Sequence, residues 1–342
     1  MEHLPEECWE LILRRVSTND EYRDFRSLSL TCKQFLSITD RVRRKFSASN
    51  KKLYRNRCEA LFRACERFQN IEELELYRLY DSDDSKPDSQ VDVDTPMISI
   101  SSFSLNSLGS LSLYSLPKAP LPSSFRELST MRNLKRLICW DIKSLGDVHV
   151  AAIAGAVPWL EELSIIFCNS GSRDWRTQYP HLSDRVVTDA GIQVVSSKLL
   201  GLLKIDITGN PFCSDLSLIA LSSNCAHLKE VRCTDNGITK GGIGFVLYNS
   251  PNIISLQAEY RTTRNSSFRF EASQICAKNL RELDLFAHDF QDPLLCCIAK
   301  AGIQLEKLTL RNDDDLSFNG LSDFIVCLSV FEALGTLGYK FS

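Results

Sequence analysis

A Leu-x-x-Leu-x-Leu core recurs along this chain, starting at Leu202, Leu228, Ile253, Leu280, Leu305 and Phe331, in steps of 26, 25, 27, 25 and 26 residues. So regular a period implies stacked units, each too small to bury its own apolar face, that share one continuous core. Such a stack presents a long surface, and the first expectation is binding of another macromolecule rather than bond chemistry.

Earlier copies extend the series at Ile71, Leu108, Leu134 and Leu160, which makes ten candidate strands. The steps from 71 to 108 and from 160 to 202 are longer than the period, so insertions are expected near 78–104 and 169–186. Each core reads as a short strand whose alternate positions point inward. The ninth position of the unit, Cys168, Asn210, Asn236 or Asp313, is expected to turn the chain and satisfy backbone donors. Helix-like segments at Val148–Val157, Thr188–Ser196, Asp215–Ser222 and Gly241–Asn249 follow the strands, ended by Pro158, Asn224 and Pro251. In Gly241-Gly242-Ile-Gly244 the glycines are read as supporting a tight turn. Helices are wider than the ~4.8 Å strand spacing, so the stack should curve with strands inside and helices outside.

The unit that runs from Cys225 through Leu228, Val231, Cys233, Asn236 and Ile238 to Ile243 resembles the leucine-rich-repeat family, in its cysteine-containing subclass. Val187-Thr-Asp-Ala-Gly-Ile192 repeats its tail. The resemblance implies an α/β solenoid, a curved parallel sheet lined outside by helices, over 47–342.

Before the repeats the pattern changes. Pro5 suits the opening of a helix, and Glu6 and Glu7 suit its positive end. Leu4, Cys8, Leu11, Ile12 and Val16 follow helical spacing, then comes a polar break at Ser17–Asp20, then Phe25, Leu28, Leu30, Cys32, Phe35, Leu36 and Ile38. Three short helices over 1–46 fit. A module of that size buries little core by itself and gains stability from a partner. The opening Leu4-Pro5-Glu6-Glu7 with Ile12-Leu13 and Val16, and the later Asp24-Phe25-x-x-Leu28-Ser29-x-Thr31-Cys32-Lys33-x-Phe35, resemble an F-box. Cys8 and Phe35 depart from the usual larger aliphatic and Trp, but both remain apolar. The arrangement is similar to plant F-box proteins with leucine-rich repeats.

That resemblance implies binding to a Skp-type adaptor and, through it, a cullin–RING ubiquitin ligase, with the repeats holding the protein to be modified. Leu4, Pro5, Ile12, Leu13, Leu28, Leu30, Cys32, Lys33 and Phe35 then form or support the adaptor contact; the alternative is that they only build the module's own core. The rival reading of the whole chain is a repeat binder or small-ligand co-receptor with no ligase role. Target-binding candidates are the residues flanking inward positions, Tyr77, Tyr114, Arg136, Trp140, Ile166, Arg232 and Phe286, together with Trp175 in the Asn169–Arg185 insertion. Exposed Trp and Tyr near Arg are common interface anchors, and the Tyr114–Trp140 neighbourhood is the leading patch.

The 342 residues carry a net charge of −3, 44% hydrophobic and 24% charged residues, an ordinary globular balance with no global pull toward nucleic acid or membrane. The acidic start lacks a secretory pattern and no apolar run is long enough to span a bilayer, so a cytoplasmic or nuclear protein is expected. Thirteen cysteines in a long chain, many within apolar patterns such as those at Cys139, Cys168, Cys213 and Cys233, read as core hydrophobes rather than a disulfide framework. No Cys-x-x-Cys pair, phosphate loop or nucleophile elbow occurs, so no metal, cofactor or catalytic residue is expected. The basic run from Arg41 to Arg57 reads as a solvated helix joining module to array, with a nuclear-import or nucleic-acid patch as the other reading. The stretch Asp81–Asp94 should not pack.

Overall fold

The computed structural model describes residues 4–16, 27–49, 57–68, 70–77, 93–102, 107–168, 186–260, 271–287 and 293–311. Helix α1 (Glu6–Val16), a helical turn at 27–29 and α2 (Lys33–Val42) form the N-terminal module. Behind it come β1 (Lys45–Ser49), α3 (Arg57–Arg67), β2 (Glu73–Tyr77), α4 (Asp94–Ser102), β3 (Ser110–Tyr114) and α5 (Pro122–Arg126). Then follow β4 (Arg136–Trp140), α6 (Asp147–Ala156), β5 (Glu162–Ile166), α7 (Asp189–Lys198), β6 (Lys204–Asp206) and α8 (Asp215–Asn224). The last elements are β7 (Glu230–Cys233), α9 (Lys240–Asn249), β8 (Ser255–Tyr260), β9 (Glu282–Ala287), α10 (Pro293–Lys300) and β10 (Lys307–Arg311).

Among the described residues the ten strands form one parallel sheet in chain order. Successive helices pack side by side, α5 on α6, α6 on α7, α7 on α8 and α8 on α9. The register is strict: Leu74 faces Leu111, Leu137 and Leu163 in turn, and Leu76 faces Leu113, Cys139 and Ile165. These side chains are buried in a single cluster that runs from Ala48 to Leu308. Removing one such leucine costs about 2–5 kcal/mol, because neither neighbouring repeat can collapse into the gap.

The first strand differs from expectation. Lys45–Ser49 lies in the run read as a joining helix, yet it pairs with Glu73–Tyr77. Phe46 and Ala48 take the inward positions and Arg43 falls where the other copies have their first leucine. The Arg43 guanidinium lies 4.7 Å from the Phe68 ring centroid, so a cation over an aromatic face replaces an aliphatic contact there. The sheet's first edge therefore grows directly out of α2. The candidate strand at Phe331 and the ninth-position Asp313 lie outside the described residues.

Polar groups join the repeats as firmly as the leucines do. Asp147 accepts from the Thr188 N–H and hydroxyl at 2.8 and 2.7 Å. Asp189 does the same to Ser214, both at 2.7 Å, and Asp215 to Thr239 at 2.7 and 2.6 Å. Each of these Ser or Thr residues also caps its own helix, accepting from the N–H of Ala190, Leu216 or Gly241. One carboxylate at a helix start thus orients the cap of the next helix. Asp94, expected within a stretch that would not pack, opens α4 and accepts from the Leu121 N–H and the Ser124 hydroxyl, both at 2.6 Å. The 78–104 insertion accordingly contains a helix.

The bridging carboxylates explain two glycines. An added Cβ at Gly191 would run into the Asp147 carboxylate, and one at Gly242 into that of Asp215. Gly242 is not in the left-handed region, so it makes room rather than a tight turn. Gly209, at φ +76°, does need glycine's freedom, and its backbone sits against the Phe167 carbonyl.

Asn210 and Asn236 are buried, but they act on acceptors, not the expected donors. Asn210 donates to the carbonyls of Ile165, Ile207 and Thr208, and Asn236 to those of Ile207 and Asn210. Cys168, also placed at this position by the spacing, is exposed and is not a core residue. Burial pushes the thiols of Cys65 and Cys225 up to about 11 and those of Cys139 and Cys213 up to about 12, so these are inert packing groups.

Two stability outcomes follow. Gly191→Ala should lower stability by about 1–3 kcal/mol through displacement of the Asp147 bridge, whereas Gly155→Ala, whose Cβ would meet only Lys198 Nζ at 4.0 Å, should be neutral or stabilising by up to ~1 kcal/mol; chemical denaturation of both variants checks the contrast. His149 Nδ1 accepts the Gly146 N–H at 3.1 Å at the start of α6, and burial lowers its pKa below 6.5 while the charge of Asp94 pulls the other way. The unfolded chain then takes up a proton that the folded one refuses, so stability should fall as pH drops through 6.5. His149→Gln, which keeps an acceptor at that position, should flatten the curve measured by denaturation across this range.

Candidate functional site

Two exposed surfaces stand apart from the core. The first lies on the N-terminal module. Leu13, Ile38 and Val42 form its small core, with Trp9, Leu28 and Phe35 packed around them. Trp9 and Phe35 meet edge to face with centroids 5.0 Å apart. Arg41 ties α2 to α1 through Glu6 at 2.8 Å and Glu10 at 2.9 Å. The Cys32 thiol accepts from the Phe35 N–H at the start of α2, which is how a cysteine serves as a cap here.

Of the residues read as adaptor candidates, Leu4, Pro5, Ile12, Leu30, Cys32 and Lys33 are exposed, Leu28 and Phe35 are partly buried, and Leu13 is 3% exposed and belongs to the core. Leu11, read only as part of the helical apolar spacing, is 63% exposed, and Leu36 is also on the surface. The signal was available: Leu11, Ile12 and Leu13 are consecutive, and a helix cannot bury all three on one stripe. Leu4, Leu11, Ile12, Leu30 and Leu36 are thus all exposed, many large aliphatics for so small a module to leave in water.

The module is braced against the solenoid. Two residues separate α2 from β1. Arg67 on α3 pairs with Asp40 at 2.7 Å, and the Asn70 side chain donates to the Arg41 carbonyl at 3.0 Å. Arg44 reaches Glu72 at 3.2 Å and also the Asn70 carbonyl.

The second surface is the sheet face opposite the buried leucines, where the parallel register builds three rows. The first is a charge ladder. Arg136 pairs with Glu162, Lys204 with Glu162 at 3.7 Å and with Glu230 at 2.9 Å, and at the other end Lys45 holds Glu75 at 2.7 Å and Glu73 at 3.6 Å. Hydrogen bonds from Lys45, Ser47 and Tyr77 outweigh the burial of Glu75 and hold its carboxyl below the usual range. The middle row runs Glu75, Ser112, Ile138, Ser164, Asp206, Arg232, Gln257 and Asp284.

The third row is apolar over β2–β5, with Tyr77, Tyr114, Trp140 and Ile166 in register. Tyr77 and Tyr114 stack face to face at 4.3 Å and 4°, and Trp140 tilts against Tyr114 at 6.4 Å. Burial, with Glu75 and Tyr114 nearby, pushes the Tyr77 phenol up to about 12. Trp140 is 40% exposed. The structure thus brings Tyr77, Tyr114, Trp140 and Ile166 together, with Arg136 beside them on β4. It leaves Arg232 and Phe286 further along the sheet, Arg232 exposed and Phe286 half-buried. Trp175 lies outside the described residues.

Among the described residues no group of His, Cys, Asp and Glu is arranged to hold a metal ion, and no helix is long and apolar enough to cross a membrane. Residues 1–47 match the family model of the F-box domain. No curated protein matches the chain. Among solved structures, a chain of the Rad7–Elc1 complex in yeast is 15% identical, covering 91% of this chain and 88% of that one at a TM-score of 0.42. A chain of the octameric complex of Latrophilin 3, Unc5D and FLRT2 is 13% identical, covering 80% and 84% at a TM-score of 0.33. At such scores the architecture rests on the strand order and register of this chain itself.

Proposed function

Given an F-box domain at residues 1–47 with a leucine-rich-repeat solenoid behind it, we propose that the chain is the substrate-recognition subunit of an SCF-type, cullin–RING ubiquitin ligase. F-box domains bind Skp-type adaptors. The exposure of Leu4, Leu11, Ile12, Leu30 and Leu36 on this one is the observation that carries the reading. On this reading Pro5, Cys32 and Lys33 border the adaptor contact, while Leu13, Leu28 and Phe35 support it from beneath. The three-row sheet face holds the protein to be modified, through Tyr77, Tyr114, Trp140 and Ile166.

The subunit performs no bond chemistry of its own. It raises the concentration of a target lysine near the charged conjugating enzyme. That role needs a fixed relation between the two surfaces. The short link from α2 to β1 and the Asp40–Arg67 and Arg44–Glu72 pairs favour one. The protein then works in the cytoplasm or nucleus, where the ligase operates.

The test is co-purification of the full chain with a Skp-type adaptor. Leu30→Asp, at a side chain 78% exposed, and Leu11→Asp should each weaken adaptor binding at least about tenfold while leaving the thermal midpoint unchanged. Leu13→Ala should instead lower stability by roughly 2–5 kcal/mol. A folded wild-type chain that fails to retain the adaptor overturns the proposal and favours a repeat binder with no ligase role.

A further inference from the structure

We infer that the aromatic row of the sheet face docks a basic, arginine- or lysine-bearing segment of the target protein; this rests on the reading of that face as the target-binding surface. The first support is the row itself. Tyr77 and Tyr114 stack face to face on adjacent strands, and Trp140, tilted against Tyr114 and 40% exposed, ends the aromatic row. Aromatic faces attract cations, Trp most strongly, and a planar guanidinium stacks on them.

The second support is charge. The bases in this part of the face are already engaged: Lys45 by Glu73 and Glu75, Arg136 by Glu162, and Lys204 by Glu162 and Glu230. Arg232 is the exception, and Asp206 stands across from it in register. The turns after the strands hold Asp141 and Asp235, with Lys118 and Lys143 after β3 and β4. Asp141 directly follows Trp140, and Asp235 lies beyond β7; both sit in the left-handed region, at φ 52° and 54°. The exposed end of the aromatic row, Trp140, is thus followed directly by the carboxylate of Asp141. An acidic segment would meet repulsion there. A basic one would place its cation over Trp140 and beside Asp141.

The two aspartates also supply a clean test. Asn tolerates the left-handed region as well as Asp does, so Asp141→Asn and Asp235→Asn remove charge without straining the backbone. The full chain, bound to a Skp-type adaptor, is titrated with fluorescent, blocked peptides of alternating Arg-Ser, Lys-Ser or Glu-Ser sequence, read by anisotropy. The Arg-Ser peptide should bind, more weakly as salt rises, and the Glu-Ser peptide should not. Trp140→Leu and the Asp141→Asn/Asp235→Asn double variant should each weaken Arg-Ser binding by about three- to tenfold. Equal binding of the Glu-Ser peptide, no binding of either basic peptide, or indifference to both variants overturns the inference. Adaptor retention, scored in the same samples, reports separately on the ligase reading: its loss with a well-folded chain sinks that reading, whatever the peptides do.

Discussion

No repeat in this chain can bury its own leucines, and the rest of the structure follows from that. Leu137 is dry only because Leu111 and Leu163 lie on either side of it. The strands must therefore stay parallel and in register, since a slip of one residue would turn each inward pair out to water. The polar bridges serve the same end. Asp189 cannot satisfy Ser214 and Ser217 unless the two helices stay aligned, so the repeat offset is set on the helical side as well as in the sheet. A carboxylate that orients the neighbour's cap also explains a small residue three places after each cap: Gly191 beside Asp147, Ser217 beside Asp189 and Gly242 beside Asp215.

A stack built this way has ends, and an open end exposes apolar edges. At the N-terminal end the problem is met by making the edge strand continuous with the F-box. Val42 closes the module's small core, and four residues later Phe46 enters the solenoid's periphery. Arg43 and Arg67 lie on the Phe68 ring at 4.7 and 5.2 Å, while Asp40 and Glu72 take charges from the same group of residues. The F-box thereby leads directly into the strand that finishes the sheet. That coupling gives a physical reason for a module with so little core of its own to hold a shape.

The repeat architecture was legible because leucine spacing is a strong, redundant signal: an error in one copy is corrected by its neighbours. Helix boundaries were legible for the same reason, through Pro158, Asn224 and Pro251. Strand β1 was not, because its copy reads Arg43, Phe46, Ala48 and hides inside a run of bases. The bridging aspartates were invisible for a different reason. A single Asp at a helix start looks like any favourable N-terminal charge, and only the stacking of two units shows that it serves the next helix. Leu13 and Leu11 show the limit on the adaptor side. Periodicity marks a stripe of apolar residues but does not say which edge of the stripe faces the core and which faces water. On the sheet face the row of Tyr77, Tyr114 and Trp140 could be assembled from the repeat offset, but their mutual stacking could not.

What a solenoid face recognises depends on what it has not already satisfied internally. In the first row the register places a base opposite an acid on neighbouring strands, and these charges are largely spent on one another, since exposed pairs of this kind contribute only about 0–1 kcal/mol to stability yet still neutralise the field they present. Such a row excludes partners more than it attracts them: a charged ligand must break a pair to bind there. Among the described residues the aromatic row has no comparable internal closure. Tyr77 and Tyr114 complete each other's stacking, while Trp140, tilted against Tyr114, stays 40% exposed. Specificity on this surface is thus concentrated where the aromatic row ends, between Trp140 and Ile166, because there, among the described residues, a large indole stays 40% exposed.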